Sequence, residues 1–529
     1  MNKQQPSILN DVIGPVMRGP SSSHVAGAAR IGELVRQSVD GLIRDVICDF
    51  DVNGSLAESH EGHGTDMGFA CGLMGLPLTD SRVDQYNAQL QKHGIHLEYR
   101  ILDYGAVHPN FYRVSVTSLT GQTVALDAIS TGGGMIEVTA LEGFPVQMMG
   151  DFYETFCFTQ SPVGEDLERR LIAALPSFEA VSVSSKGDGV CINIKSSAPL
   201  TQEEKAALQG FWDVHQMFCF APVLPTRSRM GCQVPFTCAR EMLDYNRDKG
   251  LSMWELAALY ESVRGNTTPE QVMEQMAELV DIMRTARDTG LAGTVYADRI
   301  LHYQSNLIQK NRARLIPGDI MNGVIQNITA IMEAKSSMNV IVAAPTAGAC
   351  GCLPGTLLAV EEALGLSRED TVKGMLAAGL LGVFFTGMAT FSAEVGGCQM
   401  ECGAASGMAA AGVCQMMGGS AQECVNAASM ALQGLTGLVC DPVANRVEVP
   451  CLNKNIMAGM NALSSVNMAL AGFDPVVPLD ETIGAVYDIG TKLPGELRCT
   501  WGGLGKTPAS MKIRANLEQA KCTCSCGQR

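Results

Sequence analysis

The chain has 529 residues, too many for one ordinary core, so two or three domains are expected. Hydrophobic residues make up 46% and charged residues 17%, the balance of a well-buried globular protein rather than a disordered one. A formal charge of −16 and a pI near 5.0 speak against nucleic acid as the main partner. There are nineteen cysteines, and the N-terminus MNKQQPSILNDVIG lacks the apolar run of a signal peptide. Reduced thiols in a cytoplasm are therefore expected, most of them small buried residues and some able to hold a metal or cluster.

Residues 1–149 alternate short β-like runs (RDVICDFDV, LEYRIL, YRVSVTSL, TVALDAIS) with glycine-rich turns and the helical stretch AGAARIGELVRQSV. They read as an α+β domain. Residues 150–234 read as a small βαββα module and linker, with KGDG as the turn of its hairpin. Residues 235–520 carry successive amphipathic and then apolar helical runs, and read as a mostly α-helical domain. The uncharged stretch 374–393 is long enough to span a bilayer, but its flanks and its Gly and Thr content make it a buried core helix. Residues 521–529 form a cysteine-rich tail holding Cys522, Cys524 and Cys526.

Several short motifs carry chemistry. GPSSSH places Ser21, Ser22, Ser23 and His24 on a turn before a helix, where hydroxyls and backbone N–H groups can hold a carboxylate. An ordinary N-cap with a surface histidine explains it equally well. GHGTD puts His63 and Asp66 in one turn, where the carboxylate can set the imidazole tautomer; the plainer reading is a helix start capped by Thr65 or Asp66. VHPN (His108) and STGGGMI are ambiguous in the same way. APTAGACGCLPG exposes backbone amides of Pro345–Gly348 but lacks a P-loop lysine, and its Cys350 and Cys352 suit packing as well as ligation. Cys398, Cys440 and Cys451 each sit beside Gly or Pro, or close to one, in AEVGGCQMECG, CDPV and VPC. Three thiolates without an obvious fourth suit a cluster that keeps one iron open to substrate.

Taken together and in this order, GPSSSH, GHGTD, SxGGG, PTAGACG, GGCQMEC, CDPV and VPC resemble the iron–sulfur-dependent L-serine dehydratases. The chain looks like a fusion of the β and α parts that some members keep separate, with residues 150–235 thinly matched. Ala347 stands where many members carry asparagine. The resemblance implies a [4Fe–4S] cluster on Cys398, Cys440 and Cys451, in an oxygen-sensitive cytoplasmic lyase that degrades an amino acid and can feed gluconeogenesis. Water would leave L-serine, and the enamine formed would give pyruvate and ammonia. His24 and His63 are the candidate bases. Ser21, Ser22, Ser23 and Pro345, Thr346, Ala347 and Gly348 are the candidates for orienting the substrate. The resemblance also implies a homo-oligomer, with neither nucleic acid nor a membrane as partner, and an N-terminal part in which some Ser and His residues bind an effector. The resemblance does not assign the cysteine tail; as a separate expectation, one of its thiolates occupies and protects the open iron, or the tail has no role. Threonine or cysteine as substrate, and a non-catalytic amino-acid or cluster sensor, are the alternatives. A pyridoxal-phosphate enzyme is disfavoured because no lysine stands near STGGG.

Overall fold

A computed structural model describes residues 5–526 apart from Glu165 and Asn266, with side chains described as far as Gln519. The N-terminal α+β region is built on a six-stranded sheet: β1 (Ile43–Asp51), β2 (His96–Leu102), β3 (Phe111–Ser118), β4 (Thr123–Gly132), β5 (Met135–Leu141) and β6 (Phe144–Met148). Their order is β2-β1-β3-β4-β5-β6, with only the β1–β2 pair parallel. Helices α1 (Gly27–Ser38), α2 (Leu56–His63) and α3 (Thr65–Met74) belong to this region. Alternation along β3 and β4 sends Val114, Val116, Val124 and Leu126 inward, onto Ile31, Leu34 and Val35 of α1.

The middle module is one strand richer than expected. It runs β7 (Tyr153–Thr159), α4 (Leu167–Ala174), β8 (Phe178–Lys186), β9 (Gly189–Ser196), α5 (Gln202–Trp212) and β10 (Gln216–Phe220). The sheet order is β10-β7-β9-β8, antiparallel throughout. The extra strand is only five residues long, yet it buries Phe218 and Phe220 at period two. One face of this sheet packs on its own helices through Cys157, Ile192, Leu171, Leu208 and Trp212. The other face, with Phe156, Phe158, Phe218 and Phe220, shares a core with the N-terminal sheet. Lys186 pairs with Gly189, so the hairpin turns at KGDG as expected.

The C-terminal region is mostly helical. Its principal helices are α6 (Asp319–Ser336), α7 (Cys352–Leu364), α8 (Arg368–Met388), α9 (Cys402–Met416), α10 (Ala421–Gly434), α11 (Cys451–Leu470) and α12 (Pro508–Cys526). The apolar stretch is α8, and 78% of its most apolar window is buried inside the molecule. Ile8 and Val12 from the N-terminal segment press on Gly379 and Gly382 of this helix, so closely that a Cβ at either would lie 2.5 or 2.2 Å from them. The two regions also meet in a smaller core where Met17, Val25, Met67 and Cys71 pack against Ile328, Met332, Ala347, Cys350 and Cys451. The backbone of α12 continues to Cys526, while the side chains of Cys522, Cys524 and Cys526 lie outside the described residues.

Candidate active site

The cysteines Cys398, Cys440 and Cys451 come from three separate elements and are buried together. Cys398 opens a short turn after Gly397, Cys440 lies in extended backbone bridged to Arg498, and Cys451 begins α11. Their residues are 3%, 6% and 8% exposed. Each lies close enough to feel another's charge, Cys451 feeling both Cys440 and Cys398. A hydrogen bond from the Cys402 thiol, with the Lys454 ammonium, lowers Cys398 to about 7 against the upward pull of burial. The Cys499 thiol and burial raise Cys440, and burial raises Cys451. Among the described residues, no three His, Cys, Asp or Glu side chains converge as a single metal ion would require. Cluster thiolates bind separate irons, so three buried free thiols spread around one space fit a cluster rather than a lone ion.

Behind the cysteines, α11 is tied to the PTAG turn. Asn455 Nδ2 donates to the carbonyls of Gly348 and Cys451, each at 2.8 Å, and its Oδ1 accepts from Cys352 N at 2.9 Å. Lys454 Nζ donates to Asp441 Oδ1 and to the Val439 carbonyl, each at 2.6 Å. Thr346 Oγ1 donates to Glu401 Oε1 at 2.7 Å. Burial, reinforced by the Cys398 and Glu394 charges, raises that carboxyl to about 8. Cys350 and Cys352 are fully buried; Cys350 lies against Met332 and Cys352 begins α7, the packing alternative of the sequence reading.

The opposite wall belongs to the N-terminal region. The turn after Pro20 brings His24 into the interior at 1% exposure, which removes the surface-histidine reading. Ser59 Oγ donates to Ser55 O at 2.6 Å and so accepts from His24 Nε2 at 2.9 Å. This network assigns the proton to Nε2 and leaves Nδ1 to accept from Ser21 or Ser23, each at 3.1 Å. Glu394 Oε1 stands 3.5 Å from that nitrogen and accepts from Ser23 Oγ at 3.3 Å. Ser22 Oγ accepts from Ala347 N at 3.2 Å, joining GPSSSH to the PTAG turn.

His63 ends α2, where Gly64 adopts φ +87°, a conformation that closes the helix and lets α3 start at once. The ring centroids of His63 and His24 are 4.6 Å apart, edge to face. His63 is fully buried, with neither ring nitrogen in a well-formed hydrogen bond and the Asn445 side chain near enough for a weak one. Burial, and for His63 the neighbouring His24, holds both imidazoles down to about 3, so both are neutral near pH 7.

Two readings of GHGTD are corrected. Asp66 pairs with His60, Nδ1 to Oδ1 at 2.7 Å, not with His63. The residue at the cap of α3 is Gly64, and neither Thr65 nor Asp66 caps it. One turn of α2 separates His60 from His63, so a carboxylate starting α3 reaches one ring and misses the other. STGGG is the β4–β5 turn; Ser130 Oγ donates to Ser23 O at 2.8 Å, and a Cβ at Gly132 would lie 2.9 Å from Ser392 N. It braces the interface. His108 lies nearby, its Nδ1 accepting from Asn110 N at 3.1 Å. The sequence reading did not single out Ser59, Glu394, Glu401, Lys454, Asn455, Cys402 or Cys499. Glu394 and Glu401 had one signal, as charges in an otherwise apolar, glycine-rich run.

A cavity of about 590 Å³ abuts this site, lined among others by Pro20, Gly64, Lys335 and Arg446. A larger one of about 1250 Å³, among residues 238–255 and 418–481, contains none of the expected site residues.

Residues 248–504 match the serine dehydratase alpha chain family and residues 13–140 the serine dehydratase beta chain family. Over 285 residues the chain is 34% identical to the probable L-serine dehydratase, alpha chain, of Bacillus subtilis (strain 168), spanning 53% of this chain and 95% of that one. It is 25% identical over 517 residues to L-serine dehydratase 2 of Escherichia coli (strain K12), spanning 94% and 97% of the two chains. Over 502 residues it is 24% identical to the L-serine dehydratase of Helicobacter pylori (strain ATCC 700392 / 26695), spanning 92% and 96%.

Proposed function

Because this chain belongs to the serine dehydratase family, with alpha- and beta-chain regions in one polypeptide, we propose that it eliminates water from L-serine at a [4Fe–4S] cluster held by Cys398, Cys440 and Cys451. The observation that carries this reading is the burial of three charge-coupled thiols beside the wall that holds His24 and His63, the two regions being joined through Ser22 and Ala347 and a shared core. When bound, the cluster supplies a Lewis-acidic iron that makes the substrate hydroxyl a better leaving group.

The chain's own residues have the other barrier to lower, removal of the weakly acidic α-proton. His63 is the base: it is neutral at working pH, and its ring nitrogens are less committed than those of His24, with Asn445 alone within weak hydrogen-bonding reach. His24 is committed at both nitrogens to Ser59 and to Ser21 or Ser23, so it positions the GPSSSH turn and shapes the wall that His63 packs against. Glu394, which faces His24 and Ser23, offers a carboxylate to the substrate ammonium, and Glu401 stands as a carboxyl held to about 8 by burial. Loss of the α-proton and of the hydroxyl, as water, leaves an enamine; this tautomerises and hydrolyses to pyruvate and ammonia. The free thiol state of every described cysteine supports a reducing, cytoplasmic setting.

The test is pyruvate formation from L-serine by protein purified without oxygen, alongside iron and sulfide per chain. About four irons and steady turnover, both lost in air and restored by iron, sulfide and reductant, are expected. Turnover by iron-free protein would overturn the reading.

A further inference from the structure

Lys335, near the end of α6, is a buried ammonium with one hydrogen-bond acceptor among the described residues. The side chain is fully buried, in an element that is otherwise apolar on this face. Its Nζ donates to the Val447 carbonyl, and it forms no ion pair among the described residues. An ammonium has three hydrogens to donate, and burying one without a counter-charge is costly. The other cations nearby are already matched, Lys454 with Asp441 at 2.6 Å and Arg446 with Asp298 at 2.7 Å. Glu448 and Glu401 lie near enough to interact with its charge, but their hydrogen bonds go elsewhere: Glu448 accepts from the backbone of Ile300 and Leu301, and Glu401 from Thr346.

The position of this charge points to a ligand. Lys335 lines the cavity of about 590 Å³ together with Pro20 and Gly64, the immediate neighbours of Ser21 and His63. Its field reaches Cys451, Cys350 and Glu401, so it stands between that cavity and the cysteine pocket. By contrast, the serines expected to hold a carboxylate are engaged with His24 and Ala347.

We infer that Lys335 binds the α-carboxylate of the amino-acid substrate, which supplies acceptors for the ammonium hydrogens the fold leaves unused. This rests on the L-serine reading and adds to it the residue that distinguishes an amino acid from an amino amide or amino alcohol.

Two variants separate carboxylate binding from mere support of the loop that Val447 shares with Cys451. Lys335→Gln keeps a donor and removes the charge; Lys335→Met removes both. Both should keep wild-type iron and sulfide content, and both should raise KM for L-serine by about 100-fold with a much smaller change in kcat. L-alanine, which has no leaving group, should raise the melting temperature of the wild-type holoenzyme, L-alaninamide should not, and in both variants the L-alanine effect should vanish. A wild-type KM and L-alanine response in Lys335→Gln would overturn the inference. So would loss of iron from either variant, which would assign Lys335 to holding the cysteine loop. The binding arm is independent of turnover: Lys335-dependent stabilisation by L-alanine in a protein that does not consume L-serine would sink the proposed function and leave the carboxylate site standing.

Discussion

The two walls of the site are stabilised in opposite ways. On the helical side, Cys398, Cys440 and Cys451 are surrounded by apolar helices and by other thiols. On the N-terminal side, Ser21, Ser23, His24 and Ser59 are cross-linked through hydrogen bonds, and Ser23 carries the network across to Glu394 of the helical region. Thiols are weak hydrogen-bond partners and good soft ligands, so an apolar shell suits them and leaves their binding capacity for a metal. Hydroxyls and imidazoles must be satisfied when buried, and beside a His24 bonded at both nitrogens, His63 is the ring that the network leaves without a well-formed hydrogen bond. The lesson is that reactive groups are recognised here by what they lack.

That contrast can be broken most severely on the cysteine wall. Cys440→Ser or Cys451→Ser should abolish both the visible absorption of the cluster and activity, with the fold retained by circular dichroism. On the other wall the largest effect should come from His63→Gln, lowering kcat by about 10²–10⁴-fold while iron content stays at the wild-type level. If His24→Gln were equally damaging and His63→Gln mild, the assignment of base and positioning residue would be reversed.

The pH dependence sharpens the same comparison. Both histidines are held to about 3 by burial, so the native state excludes protons that the unfolded chain takes up below about 6.5. Their contribution is therefore complete above about pH 6.5 and is lost as pH falls toward 3, because the unfolded state binds more protons in that window. Denaturant titrations from pH 7 to 4 should show this fall, and His24→Gln should flatten it.

Smaller effects belong to the supports. Phe156→Ala, in the core shared by the two sheets, should cost about 3–5 kcal/mol of stability and leave kcat unchanged. Ser59→Ala, which deprives His24 of an acceptor, should cost about 1–3 kcal/mol.

Much of this was legible in the sequence. The helical region followed from its apolar runs, the first strands from their alternation, and the candidate ligands from cysteines in glycine- and proline-rich contexts. Strands β6 and β10 escaped because they are five residues long and interrupted by Pro145 or Cys219, and β5 because it follows directly on the glycine run of STGGG. The Asp66 partner was misread because sequence proximity does not say which of two rings on one helix a carboxylate faces. Lys335 and Glu401 were invisible for another reason. A charge inside an apolar run looks like an interruption until the fold shows that it points at other charges.

Mössbauer spectra of ⁵⁷Fe-enriched protein, recorded before and after mixing with L-serine without oxygen, test the central claim most directly. The account predicts a cluster signal in which about one quarter of the iron, the site without a cysteine, changes on mixing. A spectrum without cluster iron, or one in which no iron responds to L-serine, would contradict it.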